Sequence, residues 1–392
     1  MEAQPAQQPT STTYTRPQQP ADAYAATLPV ETLTRIFELA KEGVQDPFDR
    51  QNMRWSFQEI SCQWSIAVGK QRDYAVGYER QAEALGNALR SSGREDEVRS
   101  LALSQKLMGG SQGATVELLK LCSALKKLEL IRVGRFYSAY GDEEALEAMS
   151  KLKEVQEVVF MGAPEALTLS RVLHAWPVLR SLRLSCRFRN ETSMLDPMPS
   201  VALQHLDIVP DLDMIRELLL YIKDSDLPRS LTVRDYQGCF RRLLDPKVAE
   251  ALLPLASRLH RFSAPDPWQP SPAFDHFISS MSSLRQLEIG YSGTQPLPDV
   301  DGGGTGHNLP PAAALRNLTS LQELVLRQTL FVQDAAQLAP TLVEILDAPP
   351  SSFKRIEVHL SLFYGSEGGE EARAEIAAKA EAAGIRLLIR RS

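Results

Sequence analysis

One short pattern returns along this chain with a fixed internal spacing, and it limits the fold more than any other feature. It reads Leu125-x-x-Leu128-x-Leu130, Leu179-x-x-Leu182-x-Leu184, Leu203-x-x-Leu206-x-Ile208, Leu284-x-x-Leu287-x-Ile289 and Leu321-x-x-Leu324-x-Leu326. Looser copies are Val155-x-x-Val158-x-Phe160 and Phe353-x-x-Ile356-x-Val358, with truncated ones around Leu101, Leu231 and Phe262. The central apolar positions from 158 to 231 recur at intervals of 24, 24 and 25 residues, inside the roughly 20–29-residue period of short strand–helix repeats. The 37 residues between 287 and 324 are too many for one repeat and imply an insertion.

Stacking explains the pattern. Residues i and i+2 of a strand point the same way, so Leu182 and Leu184 face an interior while Ser181 and Arg183 face out. One such strand cannot bury its apolar side alone, but parallel strands stacked in series can, with a helix from each repeat covering the other side. Helical spacing is present ahead of the strands, in Val116, Leu119 and Leu121; in Leu169, Val172 and Leu173; in Ile215, Leu218, Leu219 and Ile222; and in Phe274, Phe277 and Ile278. The expected fold class is α/β, a leucine-rich-repeat solenoid of about ten repeats over residues 71–392, a horseshoe with parallel strands on the concave face and helices outside. An ordinary doubly wound α/β domain also alternates helix and strand, but it has no reason to repeat one leucine spacing.

Composition sets the outer limits. A hydrophobic share of 43% is enough for a folded core. The formal net charge of −6 supplies no global basic excess for neutralising phosphates, which argues against a general nucleic-acid binder or a membrane-surface protein. Residues 1–27, rich in Pro, Gln, Thr and Ala, are expected to be a disordered arm, and they lack the basic start and apolar run of a signal peptide. No run of about 18 apolar residues exists to span a bilayer. Cys62, Cys122, Cys186 and Cys239 are widely separated, which favours reduced thiols in the cytoplasm or nucleus over a disulfide framework. The histidines form no metal-ligand cluster, and no cofactor is expected.

Residues 28–70 form a small all-helical module ahead of the repeats. Pro29 suits a first helical position and Glu31 the dipole-positive first turn. Leu33, Ile36, Phe37 and Ala40 follow the i, i+3, i+4, i+7 stripe, which Gly43 and Pro47 end. A second stripe runs Phe57, Ile60, Trp64, Ala67 and Val68. So few apolar residues make a poor free-standing domain, and such a module needs a partner surface or the adjoining solenoid.

The stretch Leu28-Pro29-Val30-Glu31-Thr32-Leu33-Thr34-Arg35-Ile36-Phe37-Glu38-Leu39, followed by Cys62-Gln63-Trp64, resembles the F-box family. The match is to that family's Leu-Pro-x-Glu-x-Leu-x-x-Ile-Phe start and its Cys-x-Trp segment in the last helix. The resemblance covers residues 28–70, and repeats behind an F-box are a common pairing. It implies a substrate receptor of an SCF-type cullin-RING ubiquitin ligase, with the helices gripping a Skp-type adaptor and the repeats holding a protein substrate. The segment Lys41 to Trp55 departs from the family, being longer and more polar than the linker expected between the first helix and the rest, without a clear second apolar ladder. The alternative for the module is a helical cap sealing the first repeat.

Two glycine-rich segments carry weaker signals. Gly109-Gly110-Ser111-Gln112-Gly113 fits the nucleophile-elbow pattern between a strand (Val98 to Leu103) and a helix (Thr115 to Leu121). No histidine precedes His174 and no His-Gly-Gly run exists, so a serine hydrolase built on Ser111 is only a remote alternative. The run Asp301-Gly302-Gly303-Gly304-Thr305-Gly306-His307 lacks the Gly-Lys-Ser/Thr of a phosphate loop and fits an inserted loop. Arginines just past several strands (Arg132, Arg135, Arg187, Arg189, Arg234, Arg241, Arg242) would form either one basic rim for an acidic or phosphorylated peptide, or scattered solvated charge.

The expectation is therefore a non-enzymatic receptor. The resemblance assigns adaptor binding to Leu28, Pro29, Leu33, Ile36, Phe37, Ile60 and Trp64. Candidate substrate contacts are Arg183, Arg187, Arg189, His205, Asp207, Gln286, Glu288 and Glu323. The main alternative is a leucine-rich-repeat protein-binding scaffold with no ubiquitin role.

Overall fold

A computed structural model gives the fold, described for residues 28–69, 72–104, 113–131, 143–161, 173–185, 201–222, 228–234, 245–267, 271–291, 312–328, 335–359 and 369–390. The chain divides into two compact units, Met1–Gln71 and Arg72–Ser392.

The first unit contains three helices, α1 (Val30–Gly43), α2 (Pro47–Ile60) and α3 (Cys62–Val68). Pro29 is the residue before α1 rather than its first residue, with an extended ψ of 145°. Of the polar stretch 41–55, only residues 44–46 are a linker, since Lys41 to Gly43 end α1 and α2 begins at Pro47. Asp46 caps α2, its Oδ1 accepting the Phe48 N–H at 2.8 Å, and Pro47 occupies the first turn where its missing N–H costs nothing. The stripe Phe57 to Val68 is two helices instead of one. Ser61 takes an extended conformation and starts α3, its Oγ accepting the Trp64 N–H at 3.3 Å.

Leu33, Phe37, Trp64, Ala67 and Val68 form this unit's core, with Leu28, Val30, Met53 and Phe57 packed against them. Phe57 joins α1 to α3, with ring centroids 5.6 Å from Phe37 and 4.7 Å from Trp64. Buried Arg54 donates to the Val68 carbonyl at 3.1 Å and to that of Gly69, placing a cation on the dipole-negative end of α3. Gly69 ends that helix at φ 68°, a conformation that disfavours any side chain.

The second unit is an α/β arrangement built on one twelve-stranded parallel sheet. Its strands are β1 (Asp73–Val76), β2 (Ser100–Ser104), β3 (Lys127–Ile131), β4 (Glu157–Met161), β5 (Ser181–Ser185) and β6 (His205–Ile208). They continue as β7 (Ser230–Val233), β8 (Arg261–Pro267), β9 (Gln286–Tyr291), β10 (Glu323–Gln328), β11 (Arg355–His359) and β12 (Arg386–Arg390). The spatial order is the sequence order, with no reversal. A doubly wound sheet must reverse its order at a switch point, so that alternative is excluded.

The recurring leucine pattern sets the register. Position 101 pairs with 128, then 158, 182, 206, 231, 262, 287, 324 and 356. The row extends one strand further at each end, to Tyr74 and Leu387, so the sheet has two more strands than the ten expected from the pattern. Between strands lie helices such as Gly113–Leu121, Leu212–Tyr221, Pro246–Leu252 and Pro272–Ser279, and successive helices pack on one another.

Several helix starts carry their own signals. Asp211, Asp245 and Ser271 each accept a hydrogen bond from a first-turn N–H, and proline follows at 246 and 272. Strand and helix side chains share one continuous core, in which Phe262 of β8 meets Phe277 edge-on at 5.3 Å. Trp176 is buried there with its indole N–H satisfied by the Met149 carbonyl at 3.1 Å. Cys122 is wholly buried in the same core, and burial pushes its thiol up to about 12. The register slips once, between Ala264 and Pro267, where Pro265 and Pro267 have no N–H to offer a ladder.

Candidate functional site

Two surfaces present side chains in a way that packing alone does not require. The first belongs to the helical unit. Alternation along α1 turns Leu33 and Phe37 inward, while Ile36 and Leu39, three residues apart, are 38% and 50% exposed. Trp55, Ile60 and Ile66 are exposed as well, at 47%, 39% and 65%. A three-helix unit of this size would ordinarily place its scarce large apolar residues inside.

The site residues suggested by the sequence thus separate into two groups. Leu33, Phe37 and Trp64 are core side chains and are closed to direct contact with another protein. Pro29, Ile36 and Ile60 are exposed, and Leu28 is partly so. Leu39, Trp55 and Ile66 were missed because a stripe of apolar spacing picks out what faces the core and passes over apolar residues beside it.

The second surface is the sheet face turned away from the helices. Residues between the paired leucines form a row across it: Glu129, Val159, Arg183, Asp207, Thr232, Ser263 and Glu288 stand in register on β3 to β9. Val325, Glu357 and Leu388 continue the row to β12. The charges here are matched. Arg183 Nε lies 2.9 Å from Asp207 Oδ2, and Arg234 Nε lies 3.7 Å from Asp207 Oδ1. Lys127 joins Glu129 at 3.3 Å and Glu157 at 2.7 Å.

Buried Glu288 pairs with Arg327, and Glu323 with Arg355 at 3.1 Å. Glu357 is the hub of the far end, held by Arg355, by His359 at 2.8 Å and by Arg390 at 2.7 Å. Burial works to raise its carboxyl, yet the hydrogen bonds from His359 and Arg355 and the charges of Arg390 and Arg355 outweigh this and hold it below its ordinary value.

Of the proposed substrate contacts, the strands bring Arg183, His205 and Asp207 together on β5 and β6, and Gln286, Glu288 and Glu323 together on β9 and β10. His205 is exposed, whereas Glu288 is buried beneath its arginine partner. Arg187 and Arg189 lie outside the described residues, as do Arg132, Arg135, Arg241, Arg242, Ser111 and the 301–307 glycine run. Of that rim, Arg234 is described, and it is turned to Asp207. The Glu357 cluster on β11 was missed as a cluster because its further cation, Arg390, lies on β12, which carries no leucine pattern to place it alongside. Among the described residues no group of three or more His, Cys, Asp or Glu is placed to hold a metal ion, and no helix is long and apolar enough to cross a membrane.

No family model matches the chain, and no curated protein does. Among solved structures it is similar to a chain in the crystal structure of a TLR13–ssRNA13 complex, with 13% sequence identity and a TM-score of 0.32. The match covers 82% of this chain and 46% of that one, so the chain spans less than half the length of that structure.

Proposed function

We propose that this chain is a substrate receptor of an SCF-type cullin-RING ubiquitin ligase, with an F-box helical unit and a leucine-rich-repeat solenoid. The observation that carries the reading is the helical unit's surplus of open apolar side chains: Ile36, Leu39, Trp55, Ile60 and Ile66 stand outside a core that Leu33, Phe37 and Trp64 already fill. So many exposed large apolar side chains on so small a unit point to an interaction site. The Leu28-Pro29 start and the Cys62-Gln63-Trp64 segment favour a Skp-type adaptor, bound in turn to a cullin, as its occupant.

The repeat unit then holds the protein to be ubiquitylated on its sheet face, among Arg183, His205, Asp207, Gln286 and Glu323. The chain itself performs no chemistry. It raises the effective concentration of a substrate lysine near a charged conjugating enzyme. Such a receptor works in the cytoplasm or nucleus.

The test is direct: mix the purified full chain with a purified Skp-type adaptor and look for a co-eluting complex that goes on to recruit cullin. A chain that stays monomeric beside excess adaptor removes the ligase reading and leaves a repeat-built binding scaffold.

A further inference from the structure

The residue just before each strand from β1 to β11 forms a row of its own. Its backbone N–H donates to the carbonyl of the equivalent residue one repeat earlier at 2.8–3.0 Å, from Arg72 through to Lys354. Every side chain on this leading edge is Arg, Lys, Gln or His. In a chain with net charge −6, a row without one acid is a local reversal of sign. In its middle the order is Arg180, Gln204, Arg229, His260, Arg285 and Gln322, so cation and neutral donor alternate, except that His260 stands at one neutral place.

Near the start of the row two cations, Arg99 and Lys126, are already occupied. Arg99 donates to the Ala124 carbonyl at 2.9 Å, and Lys126 Nζ lies 2.5 Å from Glu154. Glu154 sits two residues before the next ladder position. The equivalent place is Ala202 beside Arg180, Arg258 beside Arg229, and Ser320 beside Arg285. The carboxylate that satisfies Lys126 is therefore missing from the middle of the row, and for Arg229 it is replaced by another cation. Arg180, Arg229 and Arg285 are exposed and make no ion pair among the described residues. His260 reports the resulting field: burial first, then the charges of Arg285 and Arg229, lower its pKa. Such crowding of like charge costs free energy in the unliganded chain and is relieved by a bound anion.

We propose that the leading edge of β5 to β11 is a binding rail for an extended peptide carrying an anionic side chain at every third residue. Spacing selects this ligand. Neighbouring strands lie about 4.8 Å apart, so Arg180, Arg229, Arg285 and Lys354 recur at about 9.6 Å. A polyproline II segment rises about 3.1 Å per residue with three residues per turn, returning a side chain to the same face about every 9.3 Å. The glutamines between the cations are free to bond the peptide's unpaired backbone groups. This concerns what the proposed receptor holds and does not rest on adaptor binding: loss of the adaptor complex leaves the rail standing.

The test uses the full chain and a Glu-Pro-Pro repeat peptide of about ten residues or more, enough to span these four cations. Its affinity is measured by fluorescence anisotropy at low and at moderate salt. The variant is Arg180→Gln with Arg229→Gln and Arg285→Gln, since glutamine already occupies alternate places on this row and the exposed substitutions should leave the urea midpoint unchanged. Each charge-assisted contact removed weakens binding about tenfold, so the triple variant loses roughly a thousandfold, whereas Lys126→Gln, whose lysine is already paired, leaves affinity unchanged. Phosphoserine in place of glutamate decides between carboxylate and phosphate, and binding of either supports the rail. Three results overturn it: an unchanged affinity in the triple variant, equal binding of a peptide with its glutamates consecutive, or tighter binding of an oligouridylate of equal charge.

Discussion

Removing the open half of α1 without touching its buried half separates surface from core in the helical unit. The perturbation is Ile36→Ala with Leu39→Ala. Both positions are mid-helix, and alanine has the best helix propensity, so local stability holds or rises slightly. The two residues are 38% and 50% exposed, which leaves just under one full aliphatic side chain for a partner to cover. Burying a whole such side chain contributes about 1.5–3 kcal/mol, so the double variant should weaken adaptor binding by about 2 kcal/mol, or roughly thirtyfold. Leu33→Ala is the contrast. Leu33 is fully buried, and its truncation should cost the unit about 2–5 kcal/mol of stability. Isothermal titration calorimetry against the adaptor gives the first quantity, and hydrogen exchange of the α1–α3 amides gives the second. The expected pattern is weaker binding with normal exchange for the surface pair, and faster exchange for Leu33→Ala. Wild-type affinity in the surface pair refutes this face as the docking surface. Accelerated exchange in the surface pair refutes its separation from the core.

Trp64 gives a finer test of the same core: its indole N–H has no hydrogen-bond partner among the described residues, so Trp64→Phe should cost less than about 1.5 kcal/mol while Trp64→Ala costs about 3–5 kcal/mol, read from exchange protection of α3. At the far end of the sheet, Glu357 has its folded-state pKa lowered from 4.5, so its stabilising contribution is fully present above that value and is lost as pH falls through the folded value. Glu357→Gln should therefore lower the urea midpoint at neutral pH, by about 1–3 kcal/mol of stability, and flatten the acid limb of the pH profile. On the leading edge, the folded pKa of His260 lies below 6.5, with Arg229 and Arg285 opposing its protonation and Arg258 and Arg261 beside it in the chain. A bound anion reverses that preference, so binding takes up a proton, and affinity for the Glu-Pro-Pro peptide should rise as pH falls from about 7.5 to about 5.5. The rise should vanish in His260→Gln; a flat profile in the parent chain would show that no anion reaches this histidine.

The register of the sheet was legible because one leucine spacing serves both the strand and its junction with the helix. Ten positions named from the pattern stand side by side in the structure. The outermost strands were not legible, because Gln71 and Gly384 stand where the leucine three residues before the central position would be. In the helical unit, periodicity joined α2 to α3, since Phe57, Ile60, Trp64 and Val68 keep helical spacing through the break at Ser61. Only the local capping chemistry marks that break. Asp46-Pro47 carried a similar local signal within a stretch whose polarity suggested a linker. The leading-edge row was invisible for a different reason: its members are separated by unequal loops, and they become neighbours only once the register is known.

The partition of charge across the repeat unit bears on which surface binds tightly. On the sheet face, Asp207 is shared between Arg183 and Arg234, and Glu357 among Arg355, His359 and Arg390. A charged ligand arriving there must displace an existing partner, so the exchange contributes to selectivity more than to affinity. The leading edge has no such cost, because the cations Arg180, Arg229 and Arg285 have no ion-pair partner among the described residues to give up. A substrate using both surfaces would gain its on-rate and salt dependence at the edge and its discrimination on the face. Lowering salt should then speed association with little effect on which substrate is preferred, while Arg183→Ala should change the preference and leave the salt dependence in place.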